Sequence, residues 1–237
     1  MIGIRLKFTK GSEVKYISHL DLMRVFQRAL RRASIPISYS SGFNPHQEIS
    51  FAAPLSLGVT SNAEYVDLKL TEPMDVREIR RRLNNSLPEG IRILAGIEMG
   101  GNHKSAMSVV SHSRYSIEIY IENLSYCELK SKIEAFTAQK DIRIMKKQPK
   151  KGFELKETDI KPLIVSMKLA GSKEGKHTID CLLLSGSRGN LKPELLMEAF
   201  KEFTGYDIQK IKINREQVYA EKNGKLVDLL EYEGFQA

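Results

Sequence analysis

Strand-period and helix-period apolar spacing alternate along this chain in one order: a strand, a helix, a run of extended segments, a second helix and a strand. That order runs twice, and it constrains the fold more than any other feature of the sequence. In residues 2–8, Ile2, Ile4, Leu6 and Phe8 alternate with basic residues and predict a strand with one buried face. Ser18 followed by Asp21 is a capping-box-like helix start, after which Leu22, Met23, Phe26, Leu30 and Ala33 recur at helical spacing until Pro36. Residues 35–40, 48–52 and 65–70 read as extended, the first two separated by a Gly/Asn/Pro loop. A second helix over 75–87 turns Val76, Ile79, Leu83 and Leu87 inward, and residues 91–97 close the set as a strand. Residues 100–113 carry small polar residues with little periodicity and read as a domain boundary.

Past that boundary the rhythm returns. Residues 114–122 alternate, 125–138 have helical spacing, and 142–145 resume as a strand before a turn over 149–152. Residues 162–169 and 178–184 form a hairpin, 192–204 a helix stopped by Gly205, 207–213 a strand, and 218–234 a terminal strand and short tail. The expected fold is therefore α+β, with two tandem ferredoxin-like (β-α-β-β-α-β) units built on antiparallel sheets. The N-terminal unit spans 1–100 and holds an Arg-rich helix, and the C-terminal unit spans 113–237.

With 41% hydrophobic and 28% charged residues over 237 positions, the chain has enough apolar content for packed cores, which excludes a disordered or collagen-like protein. No apolar run approaches the roughly 18–20 residues of a membrane span, and the first residues do not read as a signal peptide, so a cytoplasmic protein is expected. Cys127 and Cys181 are too few for a disulfide framework, a zinc ribbon or an iron–sulfur cluster. The net charge of +8 permits a polyanionic partner, and ten of the fourteen Arg precede residue 100. Arginine is the better fork for phosphate, which directs attention to the first half.

Three stretches carry candidate chemistry. On the first helix, Asp21, Arg24, Arg28, Arg31 and Arg32 fall opposite the apolar stripe, as a solvated helix face or as a row of phosphate contacts. Capping explains Ser18 and Asp21 but not His19, which sits where the positive end of the helix dipole favours a neutral imidazole. Next, the loop Tyr39-Ser40-Ser41-Gly42-Phe43-Asn44-Pro45-His46 joins a permissive Gly, aromatics, an amide and an imidazole. His46 is expected to share a pocket with His19, and the spacing of these two with Asp21 or Glu48 is a poor match to a metal site, so no metal or cofactor is assigned. Third, the turn over 185–193 leads from a strand into a helix, where Ser187, Arg188, Gly189 and Lys192 would hold a phosphate, or would form a plain turn with Pro193 opening the helix. No Ser-His-Asp arrangement, nucleophile elbow or kinase signature is present.

The run from Tyr16-Ile17-Ser18-His19-Leu20-Asp21-Leu22-Met23-Arg24 to Arg28-Ala29-Leu30-Arg31-Arg32-Ala33, together with Ser41-Gly42-Phe43-Asn44-Pro45-His46 and Pro54-Leu55-Ser56-Leu57-Gly58, resembles the radical SAM-linked protein family. Gly186-Ser187-Arg188-Gly189-Asn190-Leu191-Lys192-Pro193 looks like that family's second signature, and the resemblance covers nearly the whole chain. It implies a bacterial protein of unknown function encoded beside, or fused to, a cobalamin-binding radical SAM protein. With two cysteines this chain cannot itself carry the radical cluster. The expectation is a non-catalytic RNA-binding or substrate-presenting accessory module for tRNA or rRNA modification. Arg24, Arg28, Arg31 and Arg32 would hold phosphates, Tyr39 or Phe43 would stack on a base, and His19, Asn44 and His46 would touch the presented nucleotide. The alternatives are a small RNA-acting or metal-dependent enzyme using His19, Asp21 and His46, or a pure protein-interaction adaptor.

Overall fold

A computed structural model describes residues 2–101, 103–148 and 154–233. The class is mixed α+β, with mostly antiparallel strand pairing and one separate two-stranded sheet. The chain divides into two compact units, Met1–His112 with Arg215–Ala237, and Ser113–Asn214.

In the first unit, β1 (Ile2–Lys10) lies antiparallel between β3 (Thr60–Leu70) and β4 (Ile93–Met99), with Leu6 opposite Val66 and Arg5 opposite Ile97. The short β2 (Ile49–Phe51) pairs with β3 at Val66–Leu68. Helix α1 (His19–Arg32) starts as its sequence dictates: the Ser18 hydroxyl accepts the Asp21 amide and donates to the Asp21 carboxylate at 2.7 Å. Leu22, Phe26, Ala29 and Leu30 are its buried face, and Phe26 meets Phe8 and Phe51 edge-to-face at 4.9 and 5.2 Å. Helix α2 (Val76–Ser86), capped by Asp75, adds Ile79 and Leu83 to the same core.

The opposite face of this unit is covered as well. Helix α3 (Ala106–Val109) and α6 (Leu229–Tyr232) bury Ala106, Val109, Leu229 and Leu230 against Ala63, Tyr65, Ile97 and Met99. Residues 100–113 are thus partly a packed segment, and the first unit runs on to His112. The pairing that holds this segment is Arg5, fully buried, whose Nε and Nη2 donate to the two oxygens of Asp67 at 2.7 and 3.0 Å. Arg5 also donates to the carbonyls of Lys104 and Leu229, and Asp67 accepts the Ala106 amide. Sequence patterning assigns everything from 113 to 237 to one second unit, yet the chain re-enters the first at Arg215, where a buried Arg215–Glu64 pair, with Nε to Oε1 at 2.8 Å, fastens it.

The second unit contains most of β5 (Val110–Tyr120), α4 (Tyr126–Ala138), the hairpin β8 (Ile164–Lys173) and β9 (Lys176–Leu184), α5 (Pro193–Thr204) and the start of β10 (Lys210–Lys222). Phe136 of α4 and Phe200 of α5 pack edge-to-face at 5.3 Å. Gly205 ends α5 in the left-handed region at φ 68°, the conformation its sequence position calls for. One expected strand is present but in a sheet of its own, and another is not formed. The strand read at 142–145 becomes β6 (Arg143–Gln148), which pairs with β7 (Glu154–Asp159) in a separate two-stranded sheet, while the turn over 149–152 lies outside the described residues. Residues 35–40 form only isolated bridges, Ile37 to Leu70 at the end of β3 and Tyr39 to Gln47 across the loop, while β2 takes the neighbouring Val66–Leu68 stretch of β3. The predicted terminal strand is present as β11 (Lys225–Asp228), a hairpin with β10.

Replacing Asp67 by Ala removes the carboxylate that takes two hydrogen bonds from the buried Arg5 guanidinium and leaves it only Glu233, at 3.5 Å, as a counter-charge among the described residues. This should cost about 3–5 kcal/mol in urea unfolding, far more than an exposed substitution such as Glu72→Ala.

Candidate nucleic-acid interface

Helix α1 presents Arg24, Arg28 and Arg31 on its exposed flank, three and four residues apart. Arg24 donates to Asp21 at 2.9 Å, and the Arg31 guanidinium leans on the Gln27 carbonyl at 3.4 Å. Arg28 has no hydrogen-bond or ion-pair partner among the described residues. Arg32 differs from these three: it donates to the Ser86 carbonyl at 2.6 Å, tying the end of α2 to the end of α1. Hydrogen bonds from Ser18 and then Arg24 hold the Asp21 carboxyl below its ordinary range, so it is a charged cap at neutral pH.

The loop after Ile37 is closed on itself. The Ser40 amide donates to the His46 carbonyl at 2.9 Å, and the Ser40 hydroxyl lies 2.8 Å from His46 Nδ1 while accepting the His46 amide at 3.1 Å. His46 therefore shapes the loop. At its tip Gly42 has φ +118° and no neighbour within 4 Å of an added Cβ, a conformation open to glycine alone. Phe43 is fully exposed, Asn44 is exposed, and Tyr39 is half-exposed with its hydroxyl accepting from Gln47. A large apolar ring held wholly in solvent is what a stacking platform requires.

His19 lies elsewhere, in the first turn of α1 and half-buried, with its ring edge-to-face on Phe51 at 5.5 Å. It lines a small cleft with Lys10, Ser18, Leu22, Phe51 and Glu64, a set that does not include His46. Sequence patterning gives no hint of this cleft's charged wall. Lys10 is buried, its Nζ donating to the carbonyls of Lys15 and Ile17 at 3.1 and 3.3 Å. Burial, and secondarily the Arg215 charge, push its pKa down against the opposing pull of Glu64. Among the described residues no three His, Cys, Asp or Glu side chains converge as metal ligands do.

In the second unit, Ser187, Arg188 and Lys192 are exposed on the turn before α5. Packing explains the glycine there: a Cβ on Gly189 would stand 2.7 Å from Leu163 Cδ2. Lys192 is the N-cap residue without a side-chain cap, Pro193 opens the helix, and Glu194 already supplies a negative charge to its first turn.

Residues 3–193 match the model of a family described as an uncharacterized protein conserved in bacteria, DUF2344. The chain belongs to that family. The DUF2344 match takes in the α1 arginines, the 39–47 loop, Lys10, His19, Glu64 and the turn before α5, and stops short of Arg215. No curated protein matches it. Among solved structures, this DUF2344 protein is similar to a Cbf5-Nop10-Gar1 complex at 9% identity and TM-score 0.48, over 96% of this chain and 52% of that one. It is also similar to an H/ACA RNP bound to a substrate RNA containing 2'-deoxyuridine, at 8% identity and TM-score 0.49, over 92% and 47%. The chain spans about half the length of these solved structures. Among the described residues no helix is long and apolar enough to cross a membrane.

Lys10 yields a pH test. Its folded pKa lies below the unfolded value near 10.5, so between the two the unfolded state holds more protons and this group's contribution to stability rises with pH. Tyr65, whose folded pKa is raised chiefly by burial, acts in the opposite sense only above its ordinary value of 10.0. In urea unfolding, as the pH rises to 10.5, the stability of wild type relative to a folded Lys10→Met variant should therefore increase.

Proposed function

We propose that this protein is an RNA-binding, substrate-presenting module, cytoplasmic and without a reaction of its own, that serves a radical SAM protein in tRNA or rRNA modification. The observation that carries the reading is the exposed row Arg24, Arg28 and Arg31 on α1, in the unit that also raises Phe43 into solvent. Seven residues at 1.5 Å each place Arg24 and Arg31 roughly 10 Å apart along the axis, a reach suited to neighbouring phosphates of one strand. The resemblance of the Tyr16–Ala33, 41–46 and 54–58 segments to the radical SAM-linked family supports the choice of partner. We read both units as ferredoxin-like, with orders β4-β1-β3-β2 and β10-β5-β9-β8 and the β6–β7 hairpin as an insertion; the pairings of β1, β2 and β3 support this for the first. In this reading the turn at Ser187, Arg188, Gly189 and Lys192 is an accessory phosphate contact.

A second reading, an enzyme, draws its support from Lys10 beside His19 in a polar-walled cleft, with His46 outside it. Mass spectrometry of tRNA and rRNA incubated with the isolated protein separates the two. No altered nucleotide is expected; one that vanishes in a folded Lys10→Met or His19→Ala variant would establish the enzyme.

The leading reading makes a sharper demand on binding to total tRNA. Replacing Arg24, Arg28 and Arg31 together by Gln should weaken binding and flatten the dependence of log K on log salt by about two to three units, at ~0.7–0.9 per phosphate contact. Phe43→Ala should cost about 1–3 kcal/mol while leaving that slope unchanged, because a lost stacking contact releases no counterions.

A further inference from the structure

Among the described residues strand β4 pairs only with β1, which leaves its other edge open, and the alternation of β1 decides which amides β4 leaves there. The Thr9 amide donates to the Arg92 carbonyl at 2.9 Å and Thr9 Oγ1 accepts the Arg92 amide at 3.2 Å, so Thr9 faces β4. By alternation Lys7, Arg5 and Gly3 face it too, and their partners are Ala95, Ile97 and Met99. The register shift between Lys7 and Phe8 leaves Leu94 as a bulge. Gly96 and Glu98 accordingly aim their N–H and C=O groups away from β1. Ile93 also aims outward, but α2 satisfies it: Asn84 Nδ2 donates to the Ile93 carbonyl at 3.0 Å, and Asn84 Oδ1 accepts its amide at 2.7 Å. No such stand-in reaches Gly96 or Glu98 among the described residues.

Beside this edge lies an open groove of about 450 Å³, lined by Pro73, Asp75, Val76, Arg77, Gly96 and Glu98. Gly96 is needed there because a Cβ would come within 2.5 Å of Leu6 Cδ2 and 2.9 Å of Val76 Cγ1. The groove sets two carboxylates against one guanidinium on a chain of net charge +8, and the Glu98 carboxylate has no partner among the described residues. Such a wall repels phosphate, which separates this surface from an RNA contact. Two copies of β4 pairing about Ile97 would bring both Glu98 carboxylates into diagonal proximity, so self-association is disfavoured as well.

We propose that the outer edge of β4 at Gly96 and Glu98 docks an extended, basic peptide segment of a partner protein, which joins the sheet as a strand and sets a Lys or Arg against Glu98. The four unpaired backbone groups supply the ladder, the Asn84–Ile93 pair marks where it stops, and Glu98 selects charge.

Amide hydrogen exchange of the full chain, with acetyl-Val-Lys-Val-Lys-Val-Lys-amide as probe, tests this. In the free protein Ala95 and Ile97 should be protected while Gly96 and Glu98 exchange fast. Millimolar probe should protect Gly96 and Glu98, and the Val-Glu counterpart should not. Glu98→Pro removes an N–H that β1 does not use and should abolish this protection. Glu98→Lys keeps every backbone group, should weaken binding of the lysine probe about two- to fivefold, and should transfer protection to the glutamate probe. Fast exchange at Gly96 and Glu98 under millimolar lysine probe, protection that Glu98→Lys leaves unchanged, or protection that grows with protein concentration alone would each overturn the proposal. None of these outcomes bears on the arginine row of α1.

Discussion

The first unit depends on a charge pair that ought to be costly. Arg5 and Asp67 sit on the adjacent strands β1 and β3 with the guanidinium fully buried, and taking two such charges out of water is repaid only when their remaining hydrogen-bonding groups are also satisfied. Here they are satisfied by distant pieces of chain: the carbonyls of Lys104 and Leu229 accept from Arg5, and Asp67 accepts the Ala106 amide. The pair therefore recruits α3 and α6 onto a sheet face that would otherwise be wet. The Arg215–Glu64 pair repeats the device further along β3, with Arg215 also donating to the Ala53 carbonyl. Lys7, Tyr65, Gln217 and Asp228 complete the layer, with Tyr65 and Lys7 both donating to Asp228 at 2.8 Å.

Six of the fourteen arginines fall into two groups by their surroundings. Arg5, Arg215 and Arg32 are spent on architecture, bonded to carboxylates and backbone carbonyls inside the fold or between helix ends. Arg24, Arg28 and Arg31 stay on the surface of α1, where Arg24 donates to Asp21 and Arg31 to the Gln27 carbonyl, each within one helical turn. Opposite in character is the small acidic groove at β4, so the same unit offers a basic helix and an acidic strand edge.

Much of the local structure was legible in the sequence because it is set by short-range physics. Ser18 and Asp21 capped α1 as their spacing required, Asp75 capped α2, and Gly205 closed α5. The candidate site was legible only in part. The α1 arginines and Phe43 are exposed as helical and loop patterning implied, whereas His46 closes its own loop with Ser40 and is not in the cleft that His19 lines. Lys10 and Glu64 bring that cleft its charge, and they are separated by 54 positions, with Arg215 farther still; no local pattern joins residues so far apart.

By itself, then, the sequence determined the boundaries of the long helices α1, α2, α4 and α5, the α+β class and the placement of arginine on an exposed helix face, all of which follow from periodicity and capping within a few residues. Tertiary structure alone decided what lies on the second face of β1. Ile4, Leu6 and Phe8 predict one buried side, and the alternating Arg5 and Lys7 predict a solvated one, yet Arg5 is buried because α3 and α6 return over it. The reason is physical: a charged side chain in an alternating strand reads as outward-facing unless its counter-charge is known, and Asp67 lies 62 positions away, with the covering layer drawn from residues 104–106 and 228–230.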